Sequence, residues 1–133
     1  MYNEKEPFKK IKTMANAKNV LIILSENFVD KQREEEYLLS ARDIISKEGK
    51  IPVKVAFHNK KTDNPKGLKV EISKKPDAIL FDRCGKATIK KVTSSLCNKI
   101  KGKVVIFSFK SDHHVPEVKK IEAMSEVSTF LTN

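Results

Sequence analysis

Two apolar patterns alternate along the chain. Residues 19–24 (Asn-Val-Leu-Ile-Ile-Leu), 51–57, 78–81 and 103–109 are short apolar runs. Such runs mark strands covered on both faces in a parallel sheet. Between them, apolar residues recur at helical spacing. Tyr37, Leu38, Ala41, Ile44 and Ile45 form one stripe, with Asp30 as N-terminal cap, Glu34, Glu35 and Glu36 near the positive end, and Gly49 as the left-handed stop. Ile89, Val92, Leu96 and Ile100 form a second, predicting a helix over 88–100 that Gly102 ends. Asn64-Pro65-Lys66-Gly67 reads as a turn, and Leu68, Val70 and Ile72 alternating with Lys69 and Glu71 predict a half-buried edge strand. Pro116 suits the first turn of a third helix, with Val118, Ile121 and Met124 on one face, and Phe130-Leu131 reads as a last edge strand. Right-handed crossovers between such units predict an α/β fold: three layers around a mostly parallel sheet of about five strands.

Composition sets the bounds. At 133 residues the chain reads as one domain, with residues 1–18 a basic arm and 19–133 the α/β domain. In the arm, Phe8, Ile11 and Met14 suit a short helix as well as a frayed segment. Hydrophobic residues at 39% and charged residues at 33% describe a globular, soluble protein rather than a disordered one. The run from Val20 to Leu24 is too short to cross a bilayer, and residues 1–18 lack the apolar stretch of a signal peptide. Cys84 and Cys97 form no CxxC pattern and read as reduced thiols. A cytoplasmic location is the expectation.

The formal charge of +10 is uneven: Arg83, Lys86, Lys90, Lys91, Lys99, Lys101, Lys103 and Lys110 lie between residues 83 and 111 without one acid. That stretch is either a solvated face or a contact surface for phosphates, acidic protein or anionic lipid. There is no Trp, and the stretch's aromatics, Phe107 and Phe109, fall on a buried run, so base stacking is not signalled.

The candidate chemistry centres on Asp82. The third apolar run is entered through Lys75-Pro76-Asp77, in extended backbone as the proline requires, and ends on this acid; Arg83-Cys84-Gly85-Lys86 then leads into a helix. Open α/β sheets place their sites at the carboxyl ends of parallel strands. Other constellations are weaker. A zinc site needs His58, Cys84, Asp112 and His113 or His114 to converge. Arg83 and the helix start are expected to lower the Cys84 pKa. A Cys-x5-Arg loop fails because position 90 is Lys. Of the four glycines only Gly85 stands between strand and helix, which excludes a Walker A or dinucleotide fingerprint, though amides at 85–88 can receive an anion.

Residues 76–82 (Pro-Asp-Ala-Ile-Leu-Phe-Asp) resemble the third strand of the receiver domain of two-component response regulators. Residues 104–108 are similar to its fourth strand, 20–26 to its first, and 130–133 to its fifth. The resemblance implies Asp82 as phosphoacceptor, Ser108 as the residue sensing the phosphoryl group, and Glu26 with Asp82 as Mg²⁺ ligands. The chain departs from the pattern in four ways. Leu24 and Ser25 stand where the family has acids, and Asn133 stands where it has a lysine. The second helix is expected to be missing, and so is the fifth. The implied function is a degenerate receiver-like regulatory module that contacts a protein partner through the helix near Thr88 and the loops at Asp82 and Ser108. The alternative is a nucleic-acid-associated protein contacting phosphates through Arg83, Lys86, Lys90, Lys91, Lys99 and Lys101. A third reading is an enzyme with its pocket at Glu26, Asp82 and Ser108.

Overall fold

The computed structural model describes residues 17–96, 100, 102–111 and 115–131. Five strands, β1 (Lys18–Leu24), β2 (Val53–Asn59), β3 (Ala78–Asp82), β4 (Val105–Phe109) and β5 (Lys119–Ile121), form one sheet in the order β2-β1-β3-β4-β5. All four strand pairs are parallel. With α1 (Lys31–Ile45), α2 (Pro65–Ser73), α3 (Lys86–Ser94) and α4 (Ser125–Leu131) on its two faces, the sheet makes a flavodoxin-like three-layer α/β fold. Lys18, placed in the arm by the sequence reading, opens β1.

The alternation of strand side chains divides the core in two. Leu21, Ile23, Ile79, Phe81 and Ile106 pack toward α2 and α3, while Val20, Ile22, Leu80 and Phe107 pack toward α1 and α4. Each buried side chain of this size contributes about 1.5–3 kcal/mol. Asp77 fastens the amino end of the sheet: its carboxylate accepts the Asn19 N–H at 2.8 Å and its own N–H donates to the Asn19 carbonyl at 2.8 Å. Lys75, before Pro76, has φ +56° rather than the extended backbone expected there.

The helices correct the sequence reading at five places. α1 has the Asp30 cap as expected, with the Arg33 N–H donating to its side chain at 2.9 Å. It ends at Ile45, and the left-handed turn starts at Lys47 and Glu48, two residues ahead of Gly49. The expected edge strand over 68–72 is inside α2, so the second helix is present. Asn64 caps α2 by accepting the Lys66 N–H at 2.9 Å, and Pro65 occupies its first position. Leu68 and Ile72, four apart, turn one face inward while Val70 is exposed, which is helical rather than strand geometry.

α3 is shorter than predicted. Thr93, Ser94 and Ser95 each bond back to the carbonyl three residues earlier, at 3.1, 3.0 and 2.9 Å, and these hydroxyls compete with the helical ladder. The helix expected from Pro116 is instead a turn leading into β5. Val118 packs into the α2/α3 core and Ile121 into the α1/α4 core, a division that one helix face cannot make. Phe130-Leu131 lies in α4, not in a strand, so β5 is Lys119–Ile121 and a helix follows it. Among the described residues no helix lies between β4 and β5, and no helix is long and apolar enough to cross a membrane.

Candidate functional site

Asp82 is the last residue of β3, in register between Leu24 of β1 and Phe109 of β4. It shares the face of Ala78 and Leu80, beneath α1, and is fully buried. The Tyr37 hydroxyl donates to its Oδ2 at 2.5 Å. Arg83 donates from Nε to Oδ1 at 3.2 Å and from Nη2 to Oδ2 at 3.4 Å. The same guanidinium forms an ion pair with Glu26 beyond the end of β1. One cation therefore bridges the two acids that the sequence nominated together.

The backbone explains the bridge. Arg83 has φ +55°, a left-handed conformation that costs a non-glycine residue about 1–2 kcal/mol. Its N–H still bonds the Phe109 carbonyl at 2.9 Å, extending the ladder past β3. Lys110 leaves β4 in the same way, at φ +54°, with its ammonium 5.2 Å from the Phe109 ring centre. Two neighbouring strands thus end on a left-handed cation. Between α1 and α4 a cleft of about 360 Å³ opens over this end of the sheet, lined in part by Tyr37, Asp82, Arg83, Lys110 and Glu122.

Burial, then the hydrogen bond and charge of Asp82, raise the Tyr37 pKa far above the ordinary phenol value. Desolvation pulls Arg83 down, but its bonds to Asp82 and the charge of Glu26 outweigh that and hold it above its usual value. Cys84 reverses the expectation of a lowered pKa. Its thiol is buried against the Ile23 and Asp82 carbonyls, and burial followed by the Asp82 charge pushes it up to about 12. It is an inert core thiol rather than a nucleophile.

Ser108 is not brought to Asp82. It pairs in register with Phe81 and is buried, and alternation puts it with Ile106 on the α2/α3 face, opposite the acid. Lys86, Lys90 and Lys91 are exposed on α3, and Arg83 is partly exposed at the site. Lys99, Lys101, Cys97, Asp112, His113, His114, Asn133 and the 1–16 segment lie outside the described residues. The amides at 85–88 begin α3, whose N-cap Gly85 brings no side-chain hydrogen bond. Among the described residues no three His, Cys, Asp or Glu groups gather as a metal site. Glu26 and Asp82 fit Mg²⁺ poorly, because both are already paired with Arg83 and a divalent cation needs free oxygens.

Sequence reasoning missed three participants. Tyr37 was read as core, although a tyrosine on a buried helix stripe needs a partner for its hydroxyl, and that signal was available. Lys110 was counted only as charge. Asn59, fully buried, ties the ends of β1 and β2: its Nδ2 donates to the Glu26 carbonyl at 2.9 Å and its Oδ1 accepts the Lys61 N–H at 2.9 Å.

His58, also buried, has its pKa lowered by desolvation against the opposing pull of Asp63 and Glu71. An imidazole with a depressed folded pKa contributes full stability above its unfolded value of 6.5, and loses it as pH falls from there toward the folded value. The urea midpoint is therefore expected to drop more between about pH 7.5 and about pH 5.5 in the wild type than in His58→Gln. Equal slopes for the two proteins would refute this. Compared with known proteins, the chain matches no family model, no curated protein and no solved structure.

Proposed function

We propose that the chain is a receiver-like regulatory module that does not take up a phosphoryl group and acts by presenting a fixed surface to a protein partner. The observation that supports this reading is the Arg83 guanidinium spanning Asp82 and Glu26, with Tyr37 on the remaining side of the Asp82 carboxylate. Phosphoryl transfer to a carboxylate needs a free attacking oxygen and a metal ion to neutralise the developing charge. Here an internal cation supplies the neutralisation, and both oxygens are occupied. The strand order β2-β1-β3-β4-β5 agrees with a receiver-like frame, and α3 offers Lys86, Lys90 and Lys91 to an acidic partner.

The test is incubation with Mg²⁺ and acetyl phosphate or beryllofluoride. The expected result is no mass shift and no change in the environment of Tyr37, in the wild type or in Asp82→Asn. A shift in the wild type that Asp82→Asn abolishes would show an active phosphoacceptor instead. The nucleic-acid reading rests on the same three lysines, since α3 has no acid in its first turn. Its signature is affinity for DNA or RNA that falls steeply with salt and weakens in a Lys86, Lys90, Lys91→Gln variant.

A further inference from the structure

We propose that the cavity between α2 and α3 binds a small organic anion with an apolar body. The cavity measures about 270 Å³. That lies just under the ~300–1,000 Å³ usual for ligand sites and suits a molecule the size of a substituted benzene ring. It opens at the carboxyl ends of β1 and β2, where Ile23 and His58 are the penultimate residues. Open α/β sheets bind their ligands at this end. It is a different space from the Asp82 cleft, on the opposite face of the sheet.

The lining separates into two chemistries. Ile23, Leu68, Ile72 and Val92 give an apolar floor. The rim carries three ammonium groups, Lys60, Lys69 and Lys91, against one carboxylate, Asp63. That carboxylate already accepts the Asn59 N–H at 2.8 Å. No acid among the described residues forms an ion pair with any of the three lysines. Lys60 instead donates to the Thr88 hydroxyl, a neutral partner that fixes its ammonium beside the cavity. The excess of two positive charges over an apolar floor is matched by a ligand with a carboxylate or phosphate head and a hydrocarbon body.

His58 is the second observation. Its side chain is 5% exposed and borders this cavity. Its Nδ1 is 4.0 Å from Asp63, beyond hydrogen-bond range, and the imidazole makes no hydrogen bond within the described residues. Neither ring nitrogen is sealed in the protein, so the ring keeps open access to the cavity it lines rather than being satisfied by a protein acceptor. A ligand head group held by Lys60 and Lys91 provides an acceptor for a ring N–H.

Four probes test this by NMR: phenyl phosphate, 3-phenylpropionate, inorganic phosphate and benzyl alcohol. Either aromatic anion is expected to shift the His58 ring and the Ile23, Leu68 and Val92 methyl signals saturably, with Kd of about 0.1–1 mM. Whichever anion binds tighter names the head group. Lys60→Gln combined with Lys91→Gln is expected to weaken binding roughly tenfold or more, while Lys103→Gln leaves it unchanged. Both rim lysines are exposed, and circular dichroism checks that the fold is kept. Three results would each overturn the proposal. They are no saturation by either anion at about 10 mM, benzyl alcohol or inorganic phosphate binding as tightly as the aromatic anions, and undiminished binding in the double variant.

Discussion

Arg83→Met is expected to destabilise the protein by about 2–3 kcal/mol, less than the roughly 3–5 kcal/mol for breaking a fully buried ion pair, because the Arg83 side chain is 36% exposed and keeps some water. Methionine retains the packing of the stem and removes only the charge and donors. Asp82, fully buried, then loses both Arg83 bonds and keeps the Tyr37 hydroxyl alone. Glu26 loses its ion-pair partner in the same step. Asp82→Asn costs less, since the amide oxygen still accepts from Tyr37 and Arg83 still has Glu26. The double variant is expected to fall short of the sum of the singles by at least about 1 kcal/mol, because the two residues act as a unit. Urea unfolding measures all three. An Arg83→Met midpoint equal to the wild type, or strict additivity, would show that the bridge contributes nothing.

Phe81→Ala is expected to cost about 3–5 kcal/mol, which approaches the whole stability of many domains of this size. Phe81 is fully buried next to the carboxyl end of β3, the strand at the middle of the sheet, in register with Ile23 on one side and Ser108 on the other. The sheet holds its neighbours in place, so the cavity left by the ring cannot close. A fall in Tm of roughly 10–15 °C should follow. Phe130→Ala serves as the comparison: that ring is 40% exposed and meets Phe107 edge-on at 5.2 Å. Its loss should cost about 1 kcal/mol. Similar costs for the two substitutions would mean that the core is not organised around β3.

How much of this was legible in the sequence depended on local chemistry. β1, β3 and β4 were clear because residues buried on both sides leave an unbroken apolar run. α1 was clear because Asp30 and the stripe from Tyr37 to Ile45 agree. α2 was not, since Leu68, Val70 and Ile72 satisfy the spacing of a strand and, through Leu68 and Ile72, that of a helix; only burial separates them. The segment after Pro116 failed for the converse reason, because residues three apart enter two different cores. At the site, Asp82 and Glu26 could be named from strand ends alone. Tyr37 could not be paired with Asp82, from which it is separated by 45 positions. Ser108 was misjudged because a run that is apolar throughout carries no sign of which side chains share a face, and a shift of one residue reverses the answer.

The wholly parallel pairing also fixes how the chain reaches this state. Among the described residues no two strands are joined by a hairpin, so none of these pairings forms by local zippering. The central seam joins Val20 to Ala78 across α1, β2 and α2. Closing that long loop is an entropic toll collected before any seam contact forms, and such topologies assemble slowly, leaving apolar strand edges open meanwhile. Stopped-flow refolding should accordingly slow when Val20→Ala weakens the seam and change little when Ile121→Ala weakens β5.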